Sequence, residues 1–348
     1  MTSLPALLGI DTPIVLGPFG GMSSVALTAA VSEAGGLGSY GLYGCSAERI
    51  ADTATQLRAA TDRPFALNLW MPVGTEVRPG EIDTTAAIAT VAPLYAELGI
   101  PLPTEEPERF LVDVDEQLEA VLAARPAAVS FVFGVPSSAW IVAFRERGVR
   151  VIGAATTVAE AVAVEQAGAD AVVASGFEAG GHRVSFLRPA EDSLVGTMAL
   201  VPQVADAVGI PVIAAGGIAD RRGVAAAWAL GAAGVQVGTA FLRTRESAAS
   251  PAHRGSLANV GADGTVLTRA ATGRWARGVR NRLIDTVESG VIAPFPAQSW
   301  VVGPLRAEAN RRGLGDLQSL WSGQSAALAG SDEAAVLFRE LAAGIPSR

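Results

Sequence analysis

Lysine is absent from this sequence. All 26 cationic residues among its 348 are arginines. This absence excludes Schiff-base chemistry, a lysine general base and the Walker-type phosphate loop. Backbone N–H groups thus become the favoured donors to any phosphate that the chain binds.

Cysteine and histidine are nearly absent as well. The single cysteine, Cys45, excludes an internal disulfide and a thiolate-rich metal site. We interpret it as a small filler of the fold. The two histidines, His182 and His253, lie far apart in the chain and lack a zinc-binding spacing, so we expect no metal.

Cationic runs and targeting segments are also lacking. The formal net charge of −8 argues against nucleic acid as a partner. The N-terminal segment lacks the basic and apolar parts of a signal peptide. Residues 223–242 are uncharged, but Gly231 and Gly234 interrupt them, which favours a helix, a turn and a buried strand over a membrane span. We therefore expect a cytoplasmic protein.

Short apolar runs alternate with alanine-rich amphipathic stretches through the first two-thirds of the chain. Continuous apolar runs are typical of parallel strands that are buried on both faces. Residues 23–34, 157–167 and 222–230 have helical character, and a glycine ends the second and third of these stretches. The eight predicted strands are 13–17, 37–39, 65–69, 128–133, 149–153, 170–174, 211–215 and 235–237.

This alternation predicts an α/β fold, a (β/α)₈ TIM barrel, with a doubly wound open sheet as the alternative. Two excursions interrupt the pattern, residues 73–107, which include a predicted helix at 84–98, and residues 247–313. We expect them to pack together as a smaller, mainly helical domain over one mouth of the barrel. The barrel domain would comprise 1–72, 108–246 and 314–348, with 314–343 predicted to be helical.

Glycine-rich segments follow several predicted strands. In a TIM barrel these segments share one rim, at the carboxyl ends of the strands, where the chemistry of such enzymes is found. Gly216 and Gly217 follow the seventh strand, and Gly238 and Thr239 follow the eighth. We interpret the two pairs as a phosphate site, with simple tight turns as the alternative.

Two further positions on this rim suit a planar ring. Asn68 ends an otherwise apolar strand, and its amide offers two donors and one acceptor to the polar edge of a heterocycle. A plain turn residue is the alternative interpretation. The loop of Pro18, Phe19, Gly20 and Gly21 carries no acid–base group, so we expect a ring to lie against its backbone.

His182 is the candidate catalytic residue. It follows Gly180 and Gly181 after the sixth strand. An imidazole titrates near neutrality and can act as a general base, although a hydrogen-bonded structural histidine is the alternative. His253 lies in a polar stretch and is predicted to be a solvated surface residue.

These residues belong to motifs that resemble those of the nitronate monooxygenase family, FMN-dependent barrels formerly called 2-nitropropane dioxygenases. The most specific motif is GFEAGGH at 176–182. The others are GPFGGMS at 17–23, GGLGSY at 35–40, FALNL at 65–69, AAGGI at 214–218, QVGTAF at 236–241, GRWARGVRNR at 273–282 and WSGQ at 321–324.

The resemblance implies noncovalent FMN as the cofactor. It also implies that Asn68 contacts the ring, that Gly180, Gly217 and residues 236–239 bind the ribityl phosphate region, and that His182 is the base. Two departures occur: many members carry glutamine in place of Ser175 and glycine in place of Val184. The candidate cofactor-binding residues are Pro18, Phe19, Gly20, Asn68, Ser175, Gly180, Gly181, Gly216, Gly217, Gln236, Gly238 and Thr239.

The implied reaction is oxidation of an alkyl nitronate by O₂ to a carbonyl compound and nitrite. For a neutral nitroalkane, His182 would first remove the α-proton. Protonated His182, Arg183 and helix N-termini are the predicted sources of positive potential for the anionic substrate. We expect these small molecules as partners, neither nucleic acid nor a membrane, and a homodimer as the candidate assembly.

Three other functions stay open. Enoyl-acyl-carrier-protein reductases and quinone reductases with the same motifs bind FMN but take a hydride from NAD(P)H. A flavin-free phosphosugar isomerase or binding barrel would use the same phosphate site. An inactive barrel would leave the rim residues without a role.

Overall fold

The computed structural model describes residues 3–346 and contains an eight-stranded parallel barrel and a small antiparallel sheet. The strands are β1 (Ile14–Leu16), β2 (Gly38–Gly41), β3 (Phe65–Trp70), β4 (Ala128–Val132), β5 (Arg150–Ala155), β6 (Ala171–Ser175), β7 (Gly181–His182), β8 (Val212–Ala215), β9 (Gly234–Val237), β10 (Thr265–Thr268) and β11 (Ala276–Val279).

The barrel strands pair in the order β1-β9-β8-β6-β5-β4-β3-β2. The barrel closes between β1 and β2, where the Leu37 N–H donates to the Ile14 carbonyl and the Leu16 N–H donates to the Leu37 carbonyl, both at 2.9 Å. All eight predicted strands are present. The predicted TIM barrel is confirmed, and the open-sheet alternative is wrong.

Helices connect the strands and cover the outside of the barrel. Side chains of Ser24, Thr157 and Asp220 cap three of them at the N-terminus. The helices are α1 (Leu4–Leu8), α2 (Val25–Glu33), α3 (Ala47–Ala60), α4 (Thr85–Leu98), α5 (Val114–Ala124), α6 (Ser138–Glu146), α7 (Val158–Gln166), α8 (Thr197–Ala207), α9 (Arg221–Ala229), α10 (Thr239–Leu242), α11 (Pro251–Asn259), α12 (Arg282–Glu288), α13 (Ala297–Arg312) and α14 (Ala334–Ala342).

The interior of the barrel is filled by apolar side chains, among them Val15, Ile152 and Ile213. Leu4 and Leu8 of α1 belong to the same cluster and pack at the amino-terminal end of the barrel. The opposite end, where the strands terminate, is therefore the end at which a cavity can form.

The two excursions contact each other around a separate hydrophobic cluster. Helix α4 packs on α13, and the Tyr95 hydroxyl donates to the Val301 carbonyl at 2.8 Å. Helix α11 packs elsewhere: its Leu257 contributes to a small cluster with Leu242 of α10. The division of the chain into two domains at the boundaries given above stays a prediction.

The C-terminal segment differs from the expectation of continuous helix. Its α-helix is Ala334–Ala342, whose Leu337 and Phe338 join the barrel core, and short 3₁₀ turns occur at Gly315–Leu317 and Ala326–Leu328. Residues 320–325 are not helical: Trp321 pairs with Gly278 in an isolated bridge, residues 324 and 325 form a turn, and the backbone groups of the segment bond to distant parts of the chain.

The small sheet was not predicted from the sequence. Strand β11 pairs with β10 on one side and with β7 on the other, where Ala276 lies opposite His182 and Arg277 opposite Gly181. Between residues 3 and 346, no helix is long and apolar enough to cross a bilayer, and residues 223–242 divide among α9, β9 and α10.

Candidate active site

A cavity of ≈ 260 Å³ opens at the carboxyl ends of the barrel strands. His182 and all the candidate cofactor-binding residues line it, whereas Gly21 and Arg183 do not. The cavity is also lined by residues that were not predicted from the sequence, among them Met22, Tyr43, Trp70, Glu178, Thr272, Ser299, Arg306, Trp321, Gly323 and Ser325.

The loops after β8 and β9 form one side of the cavity. Gly216 and Gly217 have φ angles of +99° and +73°, which only glycine adopts readily, and their N–H groups donate to no group within residues 3–346. The Thr239 hydroxyl accepts from the Gly323 N–H at 2.9 Å, so its own proton is free to donate. This side of the cavity offers donors and no cationic side chain.

Close backbone packing explains why two other positions in this region are glycine. A Cβ at Gly180 would lie 2.5 Å from the Gly323 nitrogen, and one at Gly17 would lie 2.9 Å from the Gly238 Cα. By contrast, a Cβ at Gly238 itself would meet only Phe19, at an ordinary 3.6 Å. Gly180 is thus required by the fold, whereas Gly238 leaves room that the protein does not fill.

Glu178 occupies the N-terminus of α8. Its carboxylate accepts from the Thr197 N–H at 2.9 Å and from the Thr197 hydroxyl at 2.8 Å. The first N–H of α8 is therefore already used. An anion in the cavity would be held by the loops after β8 and β9 instead.

Three polar side chains on barrel strands face the cavity. Asn68 is 2% exposed and donates from Nδ2 to the hydroxyl (3.0 Å) and the carbonyl (3.2 Å) of Ser130. This leaves the Asn68 Oδ1 as the atom available to a ligand. Ser175 and Gln236 make no side-chain hydrogen bond within the described part of the chain, so both are free to bind.

His182 is enclosed by aromatic rings. The ring centroid of Trp70 lies 4.8 Å away, that of Trp321 5.3 Å and that of Phe133 6.5 Å. Phe133 has a φ of +65°, an uncommon backbone conformation for a bulky residue and one that is often found at functional sites. The His182 Nε2 lies 2.9 Å from the Thr272 hydroxyl, whereas Nδ1 has no partner within residues 3–346.

Burial, together with the charges of Arg274 and Arg306, lowers the pKa of His182 to about 3. The ring is therefore neutral at pH 7. The expectation that protonated His182 supplies positive potential is wrong.

The cations near the site are instead Arg274 and Arg306. Arg274 lies between the rings of Phe133 and Phe295, at 4.6 and 3.9 Å, and forms an ion pair with Glu76. Arg306 of α13 lines the cavity; its Nη1 donates to Ser319 at 3.0 Å, and its buried Nε has no partner in the described range. Arg306 is thus a positive charge with spare donor capacity.

Arg183 has a structural role that differs from the predicted one. It is 2% exposed, and its guanidinium donates to the carbonyls of Gly176 (2.6 Å), Ser175 (3.2 Å) and Ser193 (3.3 Å). It holds the loop that leads to His182 and does not line the cavity. Arg277 supports the same loop, since its Nε donates to the Phe177 carbonyl at 3.1 Å.

His253 is not on the surface as predicted. It is 2% exposed in α11, and its Nε2 lies 2.9 Å from the Trp321 carbonyl. This contact has no local sequence signal, because the polar residues around His253 are typical of a solvated stretch. Cys45 is partly buried against the barrel core, as expected of a filler.

The fold and this cavity define a TIM-barrel enzyme whose rim presents backbone N–H donors and an enclosed, neutral histidine. The nitronate monooxygenase family model matches residues 1–343. The chain belongs to this family of oxidoreductases, as its motifs had indicated.

Individual relatives cover nearly the whole chain. The nitronate monooxygenase of Pseudomonas aeruginosa is 43% identical over 343 residues, which span 96% of each chain. The structure is similar to that of nitroalkane oxidase from Streptomyces ansochromogenes, with a TM-score of 0.88, 37% identity and coverage of 98% and 97% of the two chains. It is also similar to FabK from Thermotoga maritima, with a TM-score of 0.73, 30% identity and coverage of 98% and 95%.

Replacement of Arg183 tests whether its hydrogen bonds hold the loop between β6 and His182. We expect Arg183→Met to lower the free energy of unfolding by roughly 2–4 kcal/mol, because several buried carbonyls lose their donor. Amide hydrogen exchange should accelerate across residues 176–180. Arg188→Met, at an exposed arginine nearby, is the matched control and should change neither quantity. Equal behaviour of the two variants would contradict the assigned role.

Proposed function

We propose that this chain binds FMN in the cavity and oxidises alkyl nitronates with O₂ to carbonyl compounds and nitrite. The observation that carries the proposal is the presence, in one cavity, of an anion site built from backbone N–H groups and of an enclosed, neutral His182. Membership of the nitronate monooxygenase family supports the same conclusion.

The residues present fit FMN. The unpaired N–H groups of Gly216 and Gly217, together with the Thr239 hydroxyl, suit a phosphate, and Gly238 leaves space beside them. Pro18 and Phe19 offer an apolar surface to the ring. The Asn68 Oδ1 is an acceptor for a ring N–H, and Ser175 and Gln236 would supply further polar contacts. When bound, FMN supplies the electron acceptor for the substrate and the site at which O₂ is reduced.

His182 is proposed as the base. The Thr272 hydroxyl donates to the Arg274 carbonyl at 3.4 Å, so it accepts from the His182 Nε2, and the lone pair on Nδ1 is available to accept a proton. A base with a pKa of about 3 removes a proton from a neutral nitroalkane with difficulty, whereas a nitronate has already lost that proton. The site therefore favours nitronates over nitroalkanes.

Arg306 suits an anionic substrate. Its guanidinium lines the cavity and retains an unpaired Nε, so it can lower the electrostatic cost of bringing a nitronate into the site. Arg274 contributes to the same potential, although its ion pair with Glu76 offsets part of that charge.

The alternative is an FMN-dependent NAD(P)H reductase, which the likeness to FabK supports. Rapid anaerobic mixing of the purified protein with an alkyl nitronate and, separately, with NADPH distinguishes the two. We expect the nitronate to reduce the flavin absorbance rapidly and NADPH to do so slowly. The reverse order would favour the reductase, and release of FAD, or a colourless protein that takes up no FMN, would overturn the cofactor assignment.

Gly238→Ala tests the phosphate site. The new methyl would meet only Phe19 at 3.6 Å, so the apo-protein should keep its melting temperature. The affinity for FMN should fall about tenfold or more, because the methyl takes up space beside the phosphate. Gly303→Ala, at an unobstructed glycine in α13, is the control. Gly217 is unsuitable for this test, since its φ of +73° makes any side chain there strained. A lower melting temperature with unchanged FMN affinity would refute the assignment.

His182→Asn tests the base. The variant should retain its fold and FMN, since the other contacts to the cofactor come from different loops. Turnover of a neutral nitroalkane should fall by about 10²–10⁴-fold, the usual contribution of a positioned base. Turnover of the pre-formed nitronate should fall far less, because no proton is removed. Equal losses on both substrates, measured by steady-state kinetics, would exclude proton abstraction by His182.

A further inference from the structure

Residues 320–325 form a non-helical segment that bonds to three parts of the protein around the cavity. The Gly323 N–H donates to the Thr239 hydroxyl at 2.9 Å, and the Gln324 N–H donates to the Glu178 carbonyl at 3.0 Å. The Val279 N–H of β11 donates to the Leu320 carbonyl at 2.8 Å. The segment therefore bonds to the loop after β9, to the loop before His182 and to the small sheet.

Trp321 is the side chain of this segment that contacts His182. Their ring centroids are 5.3 Å apart. Trp70 and Phe133 cover other parts of the imidazole, so a displaced Trp321 would open one wall of this aromatic enclosure. Water would then reach the His182 ring.

His253 fixes the backbone of Trp321 from outside the cavity. The His253 Nε2 lies 2.9 Å from the Trp321 carbonyl. A carbonyl only accepts, so Nε2 carries the proton and donates. His253 is itself held, because its backbone N–H donates to the capping hydroxyl of Ser250, and Ser250 donates to Gln318 at 2.6 Å.

We propose that His253 is a positioning residue: its hydrogen bond to the Trp321 carbonyl holds the Trp321 indole against His182 and keeps water from the imidazole. His253 does not line the cavity, so it acts only through Trp321. The contribution of His253 to turnover rests on the proposed function. Its role in placing Trp321 does not depend on that function.

The matched variants are His253→Gln and His253→Asn. The glutamine amide reaches about as far as Nε2 and can donate to the same carbonyl, whereas the asparagine amide is one methylene shorter and cannot reach it. Both variants carry the same functional group, so they differ chiefly in the hydrogen bond to Trp321.

The first measurement uses the apo-protein. The chain has two histidines, so in either variant His182 is its only histidine, and an untagged protein labelled with ¹³C-histidine gives one side-chain NMR signal. In His253→Gln the signal should stay that of a neutral ring down to about pH 5. In His253→Asn the ring should titrate at least about one pH unit higher than in His253→Gln, toward its ordinary pKa, since water reaches it. Arg274 and Arg306, the charged groups that face His182, are unchanged in both.

A second variant keeps the test decisive if His253→Asn is unstable. Trp321→Leu in the His253→Gln background removes the indole without altering α11, and it should raise the pKa of His182 in the same way. Identical His182 titrations with and without the indole, or in the Gln and Asn variants, would overturn the proposal.

Kinetics give an independent measurement. With FMN bound, kcat/KM for a nitronate should fall roughly tenfold in His253→Asn but not in His253→Gln, because Trp321 lines the cavity and its displacement weakens substrate binding. In a Trp321→Leu background the two variants should have the same kcat/KM, because no indole is left for His253 to position. If kcat/KM is still lower in His253→Asn than in His253→Gln in that background, the proposal is contradicted. If the wild-type chain oxidises no nitronate but the NMR difference appears, the proposed function fails and the positioning role stands.

Discussion

The pairing of β7 with β11 is the interaction on which the cavity depends. Through it, a two-residue strand that follows the barrel strand β6 is joined to a hairpin located almost a hundred residues later in the chain. This pairing places His182 opposite Ala276 and next to Thr272. It also brings Arg277 over Phe177, with the guanidinium 4.3 Å from the ring centroid. The barrel alone would supply the loops but would not hold the histidine in place.

The electrostatics of the site follow from this arrangement. A chain without lysine leaves the phosphate side of the cavity to backbone donors, while arginines cluster on the side of the small sheet and α13. The cations that would favour an anion in the cavity, together with the aromatic enclosure that excludes water, make it costly to protonate His182. The proposed preference for an anionic substrate and the neutral state of His182 therefore have a common physical origin.

Much of this could be predicted from the sequence. The eight strands were identifiable because buried parallel strands are continuously apolar, and the rim residues because they follow those strands. The small sheet was missed, since β11 contains Arg277 and Gly278 and its partners are distant in the chain. Arg183 was predicted to face the substrate and His253 to be solvated; only their carbonyl partners reveal that both side chains are buried, because arginine and histidine are seldom fully buried. The prediction of helix at residues 320–325 was wrong, because the contacts of this segment with Thr239 and Glu178 leave no local signature.

The non-helical segment at 320–325 has a consequence for the order in which the molecule is completed. All eight barrel strands have left the ribosome once residue 237 has emerged, and a barrel can begin to form at that point. One wall of the cavity, however, comes from residues synthesised more than eighty positions later. A nascent barrel would expose an open, partly apolar rim during this interval. The complete cavity is thus among the last features of the chain to form.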